Sequence, residues 1–146
     1  MVKVRTNLAR QMSRPGGRTV ADAERLADAA LQTHRKDVFA EMGRLVTQLE
    51  RLCADRKRED QTLAYQLASG IVDLAGFFET GPFYDAAYSL CELTEAAEAQ
   101  RWSWDAVEVH VQTLRLLHMA GLGTACPDAD ALLAGLGQVV ASVRPD

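Results

Sequence analysis

"TVADAERLADAALQTHRKDVFAEMGRLVTQLERLCADRKR", residues 19–58, contains no proline and a single glycine, Gly43. It is rich in alanine, leucine and arginine, all of which favour helix. Thr19 is a suitable N-cap, and Asp22 in the first turn complements the positive end of a helix. The stretch therefore predicts one long helix from Val20 to about Arg58, roughly 58 Å in length.

Apolar residues along this helix follow the spacing of a coiled coil. They recur every seven residues, with two more between them, at Leu31, Val38, Leu45, Leu52, Met42 and Leu49. Arg35 interrupts this seam at an intervening position. A rod of this length exceeds the diameter of a compact domain of this size. We therefore expect that it protrudes, kinks near Gly43 or packs in a dimer.

Helical spacing continues through the rest of the chain, and no segment alternates as a strand does. Boundary residues indicate four further helices, over Gln61–Glu79, from Pro82 to about Gln100, from Ser103 to about Gly121, and over Asp128–Val143. The predicted fold class is all-α, an antiparallel helical bundle with a long first helix and short loops.

The same spacing predicts which side chains are buried. On the second helix the predicted core face comprises Leu63, Leu67, Gly70, Ile71, Leu74, Phe77 and Phe78. On the third helix it comprises Phe83, Ala86, Ala87, Leu90, Cys91 and Leu93. Because a glycine removes a side chain from a helix face, Gly70 indicates the close approach of another helix.

A short basic N-terminal arm precedes the long helix. Residues 1–18 contain no acidic residue and five basic ones, Lys3, Arg5, Arg10, Arg14 and Arg18. Pro15, Gly16 and Gly17 cannot continue a helix and predict a hinge. The expected organisation is therefore a basic arm over residues 1–18 and a helical bundle domain over residues 19–146. The arm could bind a nucleic acid, an acidic protein or the acidic half of its own chain.

Composition narrows the class of protein. The chain has 146 residues, a hydrophobic fraction of 48% and a charged fraction of 25%, as expected of one globular domain. Residues 61–146 carry three arginines against eleven acidic residues, which opposes a nucleic-acid partner. Three cysteines without a close pair, no signal peptide and no membrane-spanning run predict a reduced, cytoplasmic protein without a membrane partner.

Aromatic residues are concentrated between Phe77 and Trp104, which include seven of the nine in the chain. They fall at predicted helix ends, where gaps between splaying helices need large side chains. We therefore interpret them chiefly as core residues. Trp102 and Trp104, two residues apart in a short loop, could instead form an exposed anchor for a partner.

Motifs for catalysis or metal binding are absent from the sequence. There is no phosphate loop, no glycine-rich dinucleotide motif and no H-E-x-x-H. His110 and His118 are about 12 Å apart on one predicted helix, too far to share a metal, and we interpret both as structural. Glu92, Glu95 and Glu98 are typical of a solvated face. We expect no enzymatic activity, no metal site and no cofactor.

His34 is the remaining candidate for chemistry. It lies in "QTHRKDVF", residues 32–39, and is followed by the cations Arg35 and Lys36. A phosphotransfer histidine is exposed near the middle of a helix, where basic neighbours offset the phosphoryl charge. Such proteins normally have a glycine four residues after the histidine, where this chain has Val38.

Two stretches together resemble a known family. They are "NLARQMSRPGGRTVADAERLADAAL", residues 7–31, and "GIVDLAGFFETGPFYDAAYSLCELTE" with "RWSWDAVEVHVQTLRLL", residues 70–95 and 101–117. They resemble the CheE family, small proteins encoded in alphaproteobacterial chemotaxis operons. The resemblance implies an accessory regulator of a chemotaxis pathway without catalytic residues. It also implies a likeness in architecture to phosphotransfer bundles, although this chain lacks the H-x-x-K-G pattern.

The sequence thus favours a binding module that contacts a response regulator or a chemotaxis histidine kinase. Arg14, Arg18, Arg35 and Lys36 would complement the acidic pocket of a response regulator. One alternative is a phosphotransfer protein with His34 as the phospho-acceptor. Another is a homodimer joined along the Leu31–Leu52 seam, which Arg35 disfavours because a buried, unpaired guanidinium costs several kcal/mol.

Overall fold

A computed structural model describes residues 19–96, 101–121 and 128–143 of the chain. Within these ranges it contains α-helices and one short 3₁₀ helix, and no strand. The helices are α1 (Val20–Asp55), α2 (Gln61–Ala75), α3 (Pro82–Ala96), α4 (Trp104–Ala120) and α5 (Ala129–Val143), with the 3₁₀ helix at Arg58–Asp60. The all-α prediction is confirmed. Arg14, Arg18, Glu98 and Cys126 lie outside the described residues.

The chain divides into two compact units, Met1–Asp37 and Val38–Asp146, and the boundary falls within α1. The predicted division into an arm over residues 1–18 and a bundle over residues 19–146 stays a prediction.

The first turn of α1 is closed as its sequence predicts. Thr19 Oγ1 accepts a hydrogen bond from the Asp22 backbone N–H at 3.1 Å, and Asp22 Oδ2 accepts from the Thr19 N–H at 3.4 Å. This reciprocal pair satisfies two donors that a helix start leaves unpaired. The helix continues through Gly43 and ends at Asp55, three residues before the predicted end, because Arg56 adopts a φ of 51°.

In the second unit α1 contributes one buried stripe to the core, comprising Val38, Met42, Val46, Leu49 and Cys53. Leu45 and Leu52 of the predicted seam are only partly buried, and Leu31 is 55% exposed. The core face follows steps of three and four residues, as a straight helix requires. A strict seven-residue repeat drifts around the helix by about 20° per heptad, so part of the seam leaves this face.

Side-chain contacts show that α1 and α4 are antiparallel. These contacts lie at three positions along the helices. Phe39 contacts His118, Thr47 and Glu50 both contact Arg115, and Arg56 contacts Asp105 and Glu108. Residue numbers rise along α1 as they fall along α4. The pairs Phe83 with His118 and Ser89 with His110 show the same relation between α3 and α4. Helix α3 is central, since it packs against α2, α4 and α5.

Helix α2 differs most from its prediction. It ends at Ala75, four residues before Glu79, and its buried face is Ala64, Leu67, Ala68, Ile71 and Ala75. Leu63 and Phe77 are instead 42% and 71% exposed. Three alanines on the core face let α2 approach its neighbours, so Gly70 is not needed for this purpose. A Cβ on Gly70 would lie 3.7 Å from Leu45 Cδ1, an ordinary contact.

The remaining boundaries are close to those predicted. Pro82 begins α3, and Ser103 caps α4 by accepting a hydrogen bond from the Ala106 N–H at 3.2 Å. Gly121 follows α4 with a φ of 89° and a ψ of 129°, so its φ is positive although its backbone is not left-handed helical. Helix α5 begins one residue after Asp128.

Candidate functional site

The first described part of α1 is exposed. Every side chain from Glu24 to Asp37 is exposed, and we call residues 24–37 the exposed α1 segment. Its large apolar side chains, Leu26 and Leu31, are 50% and 55% exposed, and Val20 just before it is 63% exposed. An exposed helix with apolar side chains on its surface can bind a partner.

Three of the predicted site residues belong to the exposed α1 segment. His34, Arg35 and Lys36 are all exposed and follow one another on the helix. Because successive residues are about 100° apart around a helix, the three side chains point in different directions. His34 is three residues after Leu31 and shares its face, whereas Lys36 lies on the opposite side. The segment therefore offers an imidazole and a guanidinium on the side of Leu31, and an ammonium on the opposite side.

The two tryptophans belong to the second unit. Trp102 and Trp104 are half-buried and pack edge to face, with ring centroids 5.1 Å apart and an interplanar angle of 72°. Both rings also pack against the hydrophobic core. The Trp102 indole nitrogen is buried and has no hydrogen-bond partner in the part of the chain that the structure describes. The pair thus contributes to packing, and its predicted role as a partner anchor stays a prediction.

The other aromatic residues correct the expectation that they form the core. Phe83 is buried with 1% exposure, but Phe77, Tyr84 and Tyr88 are 71%, 37% and 51% exposed. Helix α3 turns Phe83, Ala86 and Leu90 toward the core, and the tyrosines lie elsewhere around the helix. Their spacing of four residues stacks the two rings, whose centroids are 6.3 Å apart.

A serine and a histidine meet in the interior between α3 and α4. His110 Nδ1 lies 2.9 Å from the Ala106 carbonyl oxygen, and His110 Nε2 lies 2.9 Å from Ser89 Oγ. Because a carbonyl only accepts, Nδ1 carries the proton and Nε2 accepts from the Ser89 hydroxyl. Burial lowers the pKa of His110, whose side chain is 0% exposed. Both ring nitrogens of His110 are thus hydrogen-bonded in the interior, and its predicted structural role stays a prediction.

His118 likewise contacts a neighbouring helix. Its Nε2–H donates to the Phe39 carbonyl oxygen at 2.9 Å, and its ring stacks on Phe39 with centroids 4.0 Å apart. Nothing local to either residue predicts this contact, because the two are 79 positions apart. The only indication in the sequence is Gly43, which removes a side chain one turn after Phe39.

Ion pairs further connect α1 to α4. The Arg115 guanidinium donates to both carboxylate oxygens of Glu50, at 2.8 and 3.0 Å, and to Thr47 Oγ1 at 2.7 Å. Hydrogen bonding from Arg115 lowers the pKa of Glu50. Arg56 donates to Asp105 and Glu108 at 2.8 and 2.7 Å. These pairs join helices and do not form an open site.

Neither a metal site nor a membrane span is found in the described ranges. No group of three or more histidine, cysteine, aspartate or glutamate side chains there could hold a metal ion. None of the described helices is both long and apolar enough to cross a bilayer. Comparison with protein-family models, with curated proteins and with solved structures found no match for this chain.

Proposed function

We propose that this protein is a non-catalytic, cytoplasmic accessory regulator of a bacterial chemotaxis or two-component pathway. It binds a response regulator or a histidine kinase through α1 and the basic arm. The observation that supports this proposal is the exposed α1 segment, residues 24–37, in which Leu26 and Leu31 face solvent. The choice of pathway rests on the resemblance of residues 7–117 to the CheE family.

Charge favours an acidic partner at Arg35 and Lys36 and in the basic arm, although residues 24–37 as a whole carry three basic and three acidic residues. Arg35 and Lys36 are exposed next to each other, and the arm before α1 adds five basic residues without an acidic one. Response regulators have an acidic pocket, so their surface complements these cations. Complementary charge accelerates association and orients the partner.

Isothermal calorimetry of the full chain with each response regulator of its chemotaxis operon tests the proposal. The test variant is Arg35→Glu/Lys36→Glu, and the matched control is Arg51→Glu/Lys57→Glu, which reverses two exposed cations further along the chain. We expect the double variant to weaken binding at least about tenfold and the control to change it less than about twofold. Binding that is unchanged in the double variant, or no binding by any regulator or kinase, would contradict the proposal.

The exposed imidazole of His34 supports one alternative, a phosphotransfer protein. Incubation with the operon's histidine kinase and labelled ATP separates the two functions. Acid-labile label on the wild-type chain that disappears in His34→Gln would support phosphotransfer. Binding of a regulator without label on the chain would support the non-catalytic regulator.

A further inference from the structure

The α2–α3 hairpin has an unusual distribution of charge. Between Gln61 and Ala96 the chain contains no lysine, arginine or histidine. The same stretch contains five acidic residues, Asp73, Glu79, Asp85, Glu92 and Glu95. The hairpin therefore has no basic side chain of its own with which to neutralise these carboxylates, and its surface is negative.

Exposed aromatic rings lie on the same hairpin. Phe77, in the loop after α2, is 71% exposed, and Tyr84 and Tyr88, one turn apart on α3, are 37% and 51% exposed. The loop and the helix are adjacent, because a Cβ on Gly76 would lie 3.7 Å from Tyr84 Cε2. The stacked tyrosine pair thus lies beside the loop that contains Phe77.

Carboxylates lie on both helices that carry this aromatic group. Glu95 is seven residues after Tyr88, so it lies two turns further along the same side of α3. Asp73 is one turn before Gly76 at the end of α2, and a Cβ on Gly76 would lie 3.7 Å from Tyr84 Cε2. The charges of Glu95 and Asp73 also both act on the Cys91 thiol of α3, after burial, to raise its pKa. We call Asp73, Phe77, Tyr84, Tyr88 and Glu95 the tyrosine–carboxylate surface.

We propose that the tyrosine–carboxylate surface binds an arginine-containing basic segment of a partner protein. This surface lies entirely in the second compact unit and is separate from the exposed α1 segment, so the proposal does not depend on the proposed function. The two surfaces differ in charge, since residues 24–37 carry three basic and three acidic residues, whereas residues 61–96 carry acidic residues alone. The protein would then bind two partners of opposite charge.

Arginine fits this surface better than lysine does. A guanidinium plane stacks on the face of a tyrosine and still donates from its edge to a carboxylate. A lysine ammonium can pair with Asp73 or Glu95 but is a compact, strongly hydrated charge that gains less from the rings. A second copy of this chain and a purely electrostatic contact are the alternatives, and the experiment below separates them.

The test uses the full chain with two synthetic peptides, an arginine hexamer and a lysine hexamer of equal charge. Affinities are measured by fluorescence anisotropy, and the contact surface is mapped by amide chemical shifts in NMR. We expect the arginine peptide to bind about fivefold more tightly than the lysine peptide. The shifts should centre on residues 73–95 of α2 and α3.

Variants identify the contributions of the rings and the charges. Tyr84→Ala/Tyr88→Ala should abolish the preference for arginine, whereas Tyr84→Phe/Tyr88→Phe should retain it. Leu116→Ala, which truncates a 57% exposed side chain on α4, is the matched control and should change neither affinity.

Asp73→Asn/Glu95→Gln should weaken the binding of both peptides by the same factor, about threefold or more. Asp55→Asn/Asp130→Asn, which removes two exposed carboxylates elsewhere, controls for net charge.

Three results would overturn the proposal. The first is equal affinity for the two peptides in the wild-type chain, which indicates electrostatics alone. The second is an arginine preference that persists in Tyr84→Ala/Tyr88→Ala. The third is self-association in sedimentation velocity that this variant abolishes, because the surface would then be occupied by a second copy.

Discussion

The ring of His118 occupies the space that a side chain at position 43 would need. A Cβ built on Gly43 would lie 2.7 Å from His118 Cε1 and 3.0 Å from His118 Nε2. The same Nε2–H donates to the Phe39 carbonyl oxygen, one turn before Gly43 on α1. Gly43 thus lets the imidazole of α4 lie directly against the α1 backbone.

Gly43→Ala should therefore destabilise the protein, although alanine is the better helix former. The methyl group displaces the imidazole from Phe39, which we expect to cost about 1–3 kcal/mol as overpacking, offset by a propensity gain of about 1 kcal/mol. Urea unfolding followed by circular dichroism measures the difference. Gly135→Ala is the matched control, because no atom lies within 4 Å of its Cβ. It should stabilise α5 by roughly 0.5–1 kcal/mol.

A double-mutant cycle checks the cause. In a His118→Ala background the obstruction is gone, so Gly43→Ala should become neutral or stabilising. A loss of the same size in both backgrounds would show that another contact of Gly43 is responsible.

His110 makes stability depend on pH in a defined range. Its pKa in the folded protein is lowered from the ordinary value of 6.5, chiefly by burial, so the folded state favours the neutral ring. The contribution of neutral His110 to the free energy of unfolding is complete above pH 6.5. It is lost as the pH falls through the pKa of His110 in the folded protein, because the unfolded chain binds the proton more readily. Protonation would also remove the acceptor for the Ser89 hydroxyl. The urea midpoint should decrease as the pH is lowered from 7.5 to 5, and this decrease should be smaller in His110→Gln. An equally large decrease of the urea midpoint in His110→Gln would show that His110 is not its cause.

Arg115 should contribute more to stability than Arg44. Arg115 links α4 to Glu50 and Thr47 of α1, whereas the more exposed Arg44 pairs with Glu41 on its own helix. We expect Arg115→Ala to cost about 1–2 kcal/mol and Arg44→Ala to cost much less. The comparison of their free energies of unfolding tests this, and equal losses would contradict it.

Cys53 should be unreactive in the folded chain. Burial and the charge of Glu108 raise the pKa of its thiol to about 11, and the side chain is 4% exposed. About one thiol in a thousand is then ionised at pH 8, and the thiolate is the reactive species. Iodoacetamide followed by peptide mass spectrometry should modify Cys53 only after urea is added. Labelling of Cys53 in the native protein at the rate seen in urea would contradict this prediction.

Local sequence patterns are sufficient to predict the helices and their first residues. Thr19 with Asp22, Pro82 and Ser103 mark helix starts through interactions that span only three or four residues, so local pattern is sufficient to find them. The periodicity of α3 likewise identified Phe83, Ala86, Ala87 and Leu90 as buried, because one helix face must turn toward the core. The exposed residues His34, Arg35 and Lys36 could also be named from their positions on α1.

Contacts between residues of different helices could not be predicted without the tertiary structure. Ser89 and His110 are 21 positions apart, Glu50 and Arg115 are 65 apart, and no local pattern relates the members of either pair. The exposure of Phe77 and Tyr88 is a similar case. Aromatic side chains are usually buried, but α2 packs through its alanines and α3 turns its tyrosines away from the core. Whether a large apolar side chain is buried depends on which neighbours cover it, and that is set by the packing of helices distant in the chain.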